Sequence, residues 1–421
     1  MSEERKQNGK IPAIRVIGDD HCTGCGGCVD CCPAGALTLA IDEKGFYRPV
    51  VDDAKCTLCG ACILHCPILI DQKTPRRESM EPAVLGAWSN QDEVRLASSS
   101  GGIAYELGYQ TIGEGGIVAG CAMGEDLMAH HVIVDNLHDL SKLQGSKYIP
   151  SEVSGIYQQA ARAAAKGLRV LFTGSPCQVA AFESYLRPEW RERVLTASFI
   201  CHGVPSLLPW KKHLAETFKA GVQAVKFRDK SYGWSSSRLM DYKLTDGTKV
   251  MIGSDEDIFL SGFLSSIFLQ CVCHSCPFAA IPRCGDLTFG DFWGVAPERK
   301  DERGVSVVVA STARGLDAIE KMRKSGRIST FKSTLSEAAA ENQRLIRPFG
   351  HPHPRHAKAM RLLAEGAPLK EIAKLYQLGA LKRVAMRIKR YLKRRLPSQA
   401  WFFAKQTRDR FMRRKAGLTQ S

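Results

Sequence analysis

The sequence predicts a chain in three parts: a small α+β module over residues 1–75, an α/β domain over 76–355, and a basic helical tail over 356–421. Three observations predict it. Nine of the sixteen cysteines fall in two similar blocks between Cys22 and Cys66. Through the middle of the chain, apolar strand-like runs alternate with helical stretches. Beyond His356, apolar residues recur at helical spacing among many Lys and Arg.

The two cysteine blocks, CTGCGGCVDCCP and CTLCGACILHCP, are an internal repeat. Each supplies Cys-x2-Cys-x2-Cys-x3-Cys-Pro: Cys22, Cys25, Cys28 and Cys32 before Pro33, then Cys56, Cys59, Cys62 and Cys66 before Pro67. The tight spacing wraps three thiolates around one face of a cubane, and the fourth cysteine reaches the other cluster. Cys22, Cys25, Cys28 and Cys66 are therefore expected on one 4Fe-4S cluster, and Cys56, Cys59, Cys62 and Cys32 on the second. Gly24, Gly26, Gly27, Gly60 and Ala61 stand between ligands, where backbone N–H groups must approach cluster sulfurs. Cys31 is spare. Zinc and disulfides are the alternatives, but zinc sites rarely repeat eight ligands with two trailing prolines. The first part is thus expected to be a ferredoxin-like α+β domain with two 4Fe-4S clusters.

The second part begins after a polar, Pro-containing linker near DQKTPRRESMEP. Runs such as VLGAW, GGIVAGCAM, LRVLFTG, RVLTASFICHG and VSVVVAST read as strands of an α/β domain. Several end in Gly-containing turns, where open α/β sheets place ligand sites. Six motifs occur in order: Ser98 to Gly102 (SSSGG), Gln144 to Ser151 (QGSKYIPS), Phe172 to Phe182 (FTGSPCQVAAF), Cys201 to Ser206 (CHGVPS), Cys271 to Cys276 (CVCHSC) and Gly285 to Gly294 (GDLTFGDFWG). Together they resemble the beta subunit family of coenzyme F420 hydrogenases and dehydrogenases, over roughly residues 10 to 350.

That resemblance implies a flavoprotein: FAD in the α/β domain, a third 4Fe-4S cluster near it, and hydride exchange with coenzyme F420 or another organic substrate. A flavin takes a hydride as two electrons and releases them singly, whereas clusters carry one at a time, so the combination converts between the two. The expected ligands of the third cluster are Cys177, Cys201, Cys273 and Cys276, with Cys271 and Cys284 as rivals and buried structural cysteines as the alternative. Cys121, in an apolar strand, reads as core. For the flavin, Ser98, Ser99, Ser100, Gly101 and Gly102 precede a helix-like stretch and offer hydroxyls and free N–H groups, or simply cap that helix. Lys147 is expected to place positive charge by the reduced flavin ring, or to be a solvated lysine. Thr173, Gly174, Ser175 and Gln178 are further flavin candidates. His202 is either a proton relay or the residue that orients its loop. Asp286, Asp291 and Trp293 shape a substrate pocket or cap the turn around Gly290. No acid or base is assigned.

The tail carries the charge. Sixteen Lys and Arg face two acids between Lys370 and Lys415, and without that stretch the first 369 residues have a net charge of only +2. Leu381, Val384, Ile388 and Leu392 recur at helical spacing among the cations, which fits an anionic membrane surface with Trp401, Phe402 and Phe403 as interfacial anchors. An acidic partner protein is the alternative, and nucleic acid the less expected one. No run approaches the ~18 apolar residues that span a bilayer, and no leader pattern opens the chain. Sixteen cysteines in such a chain read as metal ligands kept reduced. The expected compartment is the cytoplasm, peripheral to the inner face of the membrane. The function expected is an oxidoreductase joining a ferredoxin-like redox partner to a small-molecule hydride donor or acceptor. The alternative is an electron-transfer or accessory subunit for a separate enzyme or a membrane-surface pathway such as polysaccharide biosynthesis.

Overall fold

The computed structural model describes residues 11–70, 80–236 and 239–377. In the N-terminal module the repeat is visible as backbone. Two short helices, Gly27–Asp30 and Ala61–Leu64, each start at a left-handed glycine, Gly26 at φ 74° and Gly60 at φ 78°. That conformation costs a Cβ-bearing residue energy, and it turns the chain sharply from ligand loop into helix. Between the blocks, β1 (Leu37–Ile41) and β2 (Tyr47–Val51) form an antiparallel pair with Leu37 opposite Val51.

A nine-stranded mixed sheet follows. It contains β3 (Ala83–Ser89), β4 (Ile117–Met123), β5 (Ala129–Val134), β6 (Ser151–Glu152), β7 (Val170–Gly174) and β8 (Val194–Phe199). A separate three-stranded antiparallel sheet is made by β9 (Val222–Phe227), β10 (Leu239–Leu244) and β11 (Lys249–Gly253). The large sheet is completed by β12 (Leu287–Asp291), β13 (Ser306–Ala310) and β14 (Ile328–Lys332), in the order β14-β3-β13-β12-β8-β7-β4-β5-β6. Strands β12, β8, β7 and β4 are mutually parallel, and β13 is antiparallel to both β12 and β3. The carboxyl ends of β3, β4, β7, β8 and β12 therefore share one sheet edge. Sheet faces are covered on both sides, which is why the strands read as unbroken apolar runs. Along β7, Val170 and Phe172 pack against the helices Ile156–Ala165 and Pro176–Tyr185, while Leu171 points the other way, among Ile103, Leu107 and Ile319.

The first module shares its core with the domain that follows. Cys25 is buried with Ile117 and Tyr157, and Tyr47 with Trp210 and Phe227. The Asp30 carboxylate accepts from the backbone N–H of Gly155 (2.7 Å), Tyr157 (2.9 Å) and Gln158 (3.3 Å), so a side chain of one part caps a helix of the other. Tyr157 Oη donates to the Cys25 carbonyl at 2.5 Å, Gln270 Nε2 to the Thr23 carbonyl at 3.1 Å, and Arg48 Nη1 to Gln270 Oε1 at 3.0 Å. The described residues through Tyr376 make one compact unit. It includes the first tail helices, His356–Ala364 and Leu369–Ala373, whose Ala359, Leu363 and Ile372 pack on Ile267 and Phe268. The amphipathic stretch with Leu381, Val384, Ile388 and Leu392, and Trp401, Phe402 and Phe403, lie outside the described residues. No helix among the described residues is long and apolar enough to cross a membrane.

Candidate redox site

Cys32, Cys56, Cys59 and Cys62 line one cavity of the N-terminal module, together with Ile11, Pro33 and Leu58. Cys22, Cys25, Cys28 and Cys66 form a second group, close enough that the charges of Cys25, Cys22 and Cys66 all push the Cys28 thiol up, after burial as the main cause. Backbone donors reach several of these sulfurs, among them Ala13 N to Cys62 Sγ at 3.3 Å, Gly24 N to Cys22 Sγ at 3.4 Å and Ala36 N to Cys32 Sγ at 3.3 Å. Gly24 belongs to the inter-ligand set read from the sequence, and so does Gly27, whose backbone N–H bonds Cys25. Cys31 donates to the Cys28 carbonyl at 3.5 Å, and burial pushes its thiol up to about 12.

Cys177, Cys201, Cys273 and Cys276 line a further cavity. The sheet explains half of this. Strands β7 and β8 are parallel neighbours, so Cys177, at the start of the helix after β7, and Cys201, just past β8, leave the same edge side by side. The Cys271–Cys273 turn and Cys276 close the other side. Thr23, between two cysteines of the first block, stands in the wall, and Cys25 acts electrostatically on Cys177. Burial pushes Cys273 up to about 11 and Cys201 up to about 12. Burial likewise raises Cys177, and thiols held this way ionise more readily when something bound among them brings positive charge. Two guanidinium groups, Arg283 and Arg344, also line the cavity. Arg283 Nη1 donates to Phe278 O at 2.8 Å and Arg344 Nη2 to Cys273 O at 3.1 Å, while Arg283 Nε and Arg344 Nε and Nη1 are buried without a partner. Among the described residues no three His, Cys, Asp or Glu converge on a single ion. Four thiols with no histidine or carboxylate among the described lining residues are a donor set that suits a 4Fe-4S cluster.

The rivals stand apart. Cys284 Sγ donates to Pro176 O at 3.2 Å, behind the cavity wall, and the exposed Cys271 faces Asp20.

The flavin candidates divide into two groups. Ser98 accepts from Gln144 Nε2 at 3.1 Å, Ser99 Oγ accepts from Ser146 N at 2.7 Å, and Ser100 Oγ donates to Val305 O at 2.9 Å. Gly101 N donates to Ser306 Oγ at 2.9 Å, and a Cβ at Gly101 would stand 2.5 Å from Ala87 O. These hydroxyls build the loop. What the loop presents is Gly102, left-handed at φ 88°, and the start of helix Ile103–Gly113, which no side chain caps, at the shared carboxyl edge. Lys147 is half-buried and donates to the carbonyls of Cys121 (2.8 Å) and Gln144 (2.9 Å), and burial lowers its pKa. Thr173 bonds Ala119 O at 3.3 Å beside Gly174. Ser175 and Gln178 lie beside Cys177: Ser175 Oγ is 3.2 Å from Cys177 Sγ, and Gln178 Oε1 accepts from Ser175 N at 2.9 Å.

Gln178 Nε2 continues to Ser151 Oγ at 3.0 Å, and Ser151 to His131 Nδ1 at 2.9 Å; His131 Nε2 meets the Thr173 carbonyl at 3.0 Å and so carries the proton. Burial depresses His131 to about 4. A histidine neutral when folded and charged when unfolded stabilises the fold above its unfolded pKa of about 6.5 and loses that contribution as pH falls toward its folded value. Stability measured by denaturant titration is expected to drop by about 1.4 kcal/mol per pH unit from His131 alone below about pH 6.5. A His131→Asn variant should show a shallower slope; an unchanged slope between pH 6.5 and 5 would remove His131 from the account.

His202 bonds Phe263 O at 3.1 Å and Ser266 Oγ at 3.1 Å between the rings of Phe263 and Phe349. Asp286 accepts from Thr196 N at 2.8 Å and Thr312 Oγ1 at 2.8 Å, tying β8 to the helix after β13. Asp291 holds Arg228 and Trp234 Nε1 (2.7 Å), and Trp234 stacks on Trp293 with centroids 4.6 Å apart.

With this geometry in view, two family comparisons bear on the chain. Residues 21–70 match the 4Fe-4S dicluster domain. Residues 167–334 match the family described as the C terminus of the coenzyme F420 hydrogenase/dehydrogenase beta subunit. The chain carries that C-terminal domain behind a dicluster domain. As such it is an iron–sulfur electron-transfer oxidoreductase related to the F420 hydrogenase beta subunit. The family match takes in the cavity cysteines from Cys177 to Cys276 and also Arg283, but it stops short of Arg344. No curated protein matches the chain. Among solved structures, the xenon-derivatised F420-reducing NiFe hydrogenase complex from Methanosarcina barkeri has a similar chain, at 18% identity and a TM-score of 0.43, covering 72% of this chain and 92% of that one.

Proposed function

We propose that the chain passes electrons between a ferredoxin-like redox partner and FAD through three 4Fe-4S clusters, with hydride exchange to coenzyme F420 or another organic substrate. One observation carries the reading: four cysteines from three separate stretches line one cavity whose wall includes Thr23 of the dicluster domain. The outer cluster would be held by Cys32, Cys56, Cys59 and Cys62, the middle one by Cys22, Cys25, Cys28 and Cys66, and the inner one by Cys177, Cys201, Cys273 and Cys276. Bound FAD would supply the exchange between a hydride and single electrons. Its pyrophosphate is assigned to the uncapped start of helix Ile103–Gly113, where backbone N–H groups and the helix dipole favour an anion. Lys147, held by backbone carbonyls near that edge, keeps a cation available for an anionic ring. Asp30 and Tyr157 hold the two cluster-bearing parts together, and Ser175 and Gln178 orient the loop of Cys177.

The test is iron, sulfide and flavin content with an absorption spectrum on anaerobically purified protein. About twelve irons and one FAD per chain are expected, against about eight irons from the dicluster domain alone. Eight irons without flavin would defeat the proposal.

A further inference from the structure

The three expected cluster positions differ in charge. Among the described residues no charged side chain lines the outer cavity. The cation that acts on Cys56, Arg15, is exposed and paired with Asp53 at 2.7 Å, so solvent and its partner screen it. At the middle group, Arg48 acts on Cys22 but is held 3.5 Å from Asp42, and Asp19 opposes it. Among the described residues the inner cavity is lined by two guanidiniums and by no carboxylate. Arg283 is 4% exposed, and three guanidinium nitrogens of the pair are buried with no partner. The buried carboxylate of Glu183 acts on Cys284, behind the wall.

Sulfur hydrogen bonds do not separate inner from outer. Outer sulfurs receive Ala13 N and Ala36 N, both at 3.3 Å, while the inner ones have Val204 N at 3.3 Å and Ser175 Oγ at 3.2 Å. Burial by itself would make it harder to add an electron to the inner site. Fixed cations with no carboxylate beside them, Arg283 buried and Arg344 half-buried, act in the opposite sense, more strongly the less solvent reaches them.

We infer that Arg283 and Arg344 poise the inner cluster at a higher reduction potential than the outer one, so that electrons arriving at the surface run inward to the sheet edge. With clusters bound, each step would take one electron from the outer site, oxidising it, and deliver it to the inner site, reducing it by one. The redox partner supplies the electron. This rests on the inner cavity being a cluster site.

Anaerobic potentiometric titration of the full-length holoprotein, followed by electron paramagnetic resonance, tests it. The signal that is missing in Cys276→Ala identifies the inner cluster. In the wild type that signal is expected to be reduced first. In Arg344→Gln its midpoint should move to lower potential while the other two stay in place, and Arg344→Lys should restore it. A twelve-iron wild type whose inner cluster titrates at or below the outer one overturns the inference, and so does an inner midpoint unmoved by Arg344→Gln. A wild type with about eight irons would instead overturn the underlying cluster assignment.

Discussion

Replacing Cys276 with alanine is expected to lower the iron content of anaerobically purified protein from about twelve atoms per chain to about eight, and to abolish electron transfer from the N-terminal clusters to flavin. The reasoning is geometric. Cys276 lines the inner cavity with Cys177, Cys201 and Cys273, and its charge acts on each of those three thiols. Removing one corner leaves three buried thiols that burial keeps protonated, so a cluster there would lose both a ligand and the charge balance that held it. Cys284→Ala is the matched control. Its thiol is equally buried but engaged with the Pro176 carbonyl, so iron should stay at about twelve per chain. Metal analysis and the reduction of flavin by dithionite-reduced clusters read the two effects separately. Equal iron in wild type and Cys276→Ala would remove Cys276 from the ligand set. A loss of iron in Cys284→Ala alone would move the assignment to that residue.

The second large effect is expected at Asp30. Its carboxylate is 4% exposed and accepts three backbone N–H groups at the start of helix Ile156–Ala165, while Gln158 Nε2 returns a bond to the Asp30 carbonyl at 2.8 Å. Asp30→Ala removes a helix cap, worth about 1–2 kcal/mol, and strands donors that cost about 1–3 kcal/mol each when buried, so a loss of about 3–5 kcal/mol is expected. Because Asp30 lies between Cys28 and Cys32, expected on different clusters, the damage should not stop at stability. Hydrogen exchange should rise both in the N-terminal module and in the helix it caps. Denaturant titration with exchange mass spectrometry decides it: a loss below about 1 kcal/mol would show that this cap is replaceable by water.

Local spacing alone makes much of this legible. A Cys-x2-Cys-x2-Cys run is read within a few neighbouring residues, and its repetition points to the dicluster domain that residues 21–70 match. The apolar runs of β4, β7, β8 and β13 are legible because a strand buried on both faces is apolar throughout. The strands of the smaller sheet are not. Val222–Phe227 and Lys249–Gly253 carry Gln223, Lys226 and Lys249 on a solvent face, and their alternation is too polar to stand out. Nor does the sequence separate Ser175 and Gln178 from the flavin candidates, since TGSPCQ places them among both.

The sequence by itself determined which residue types the site has to work with: paired cysteine blocks, further cysteines in Gly-bounded turns, and a near-neutral body ahead of a basic tail. Only the tertiary structure decided how they meet. Parallel pairing of β7 and β8 brings Cys177 beside Cys201, and the turn at Cys273 and Cys276 closes on them from 72 residues further along. The Asp30 cap reaches across 125 positions, and Arg283 and Arg344, whose guanidiniums keep three nitrogens without a hydrogen-bond partner, belong to no motif. Charge and hydrogen bonding act through space at a few ångströms, whereas a motif reports only separation along the chain.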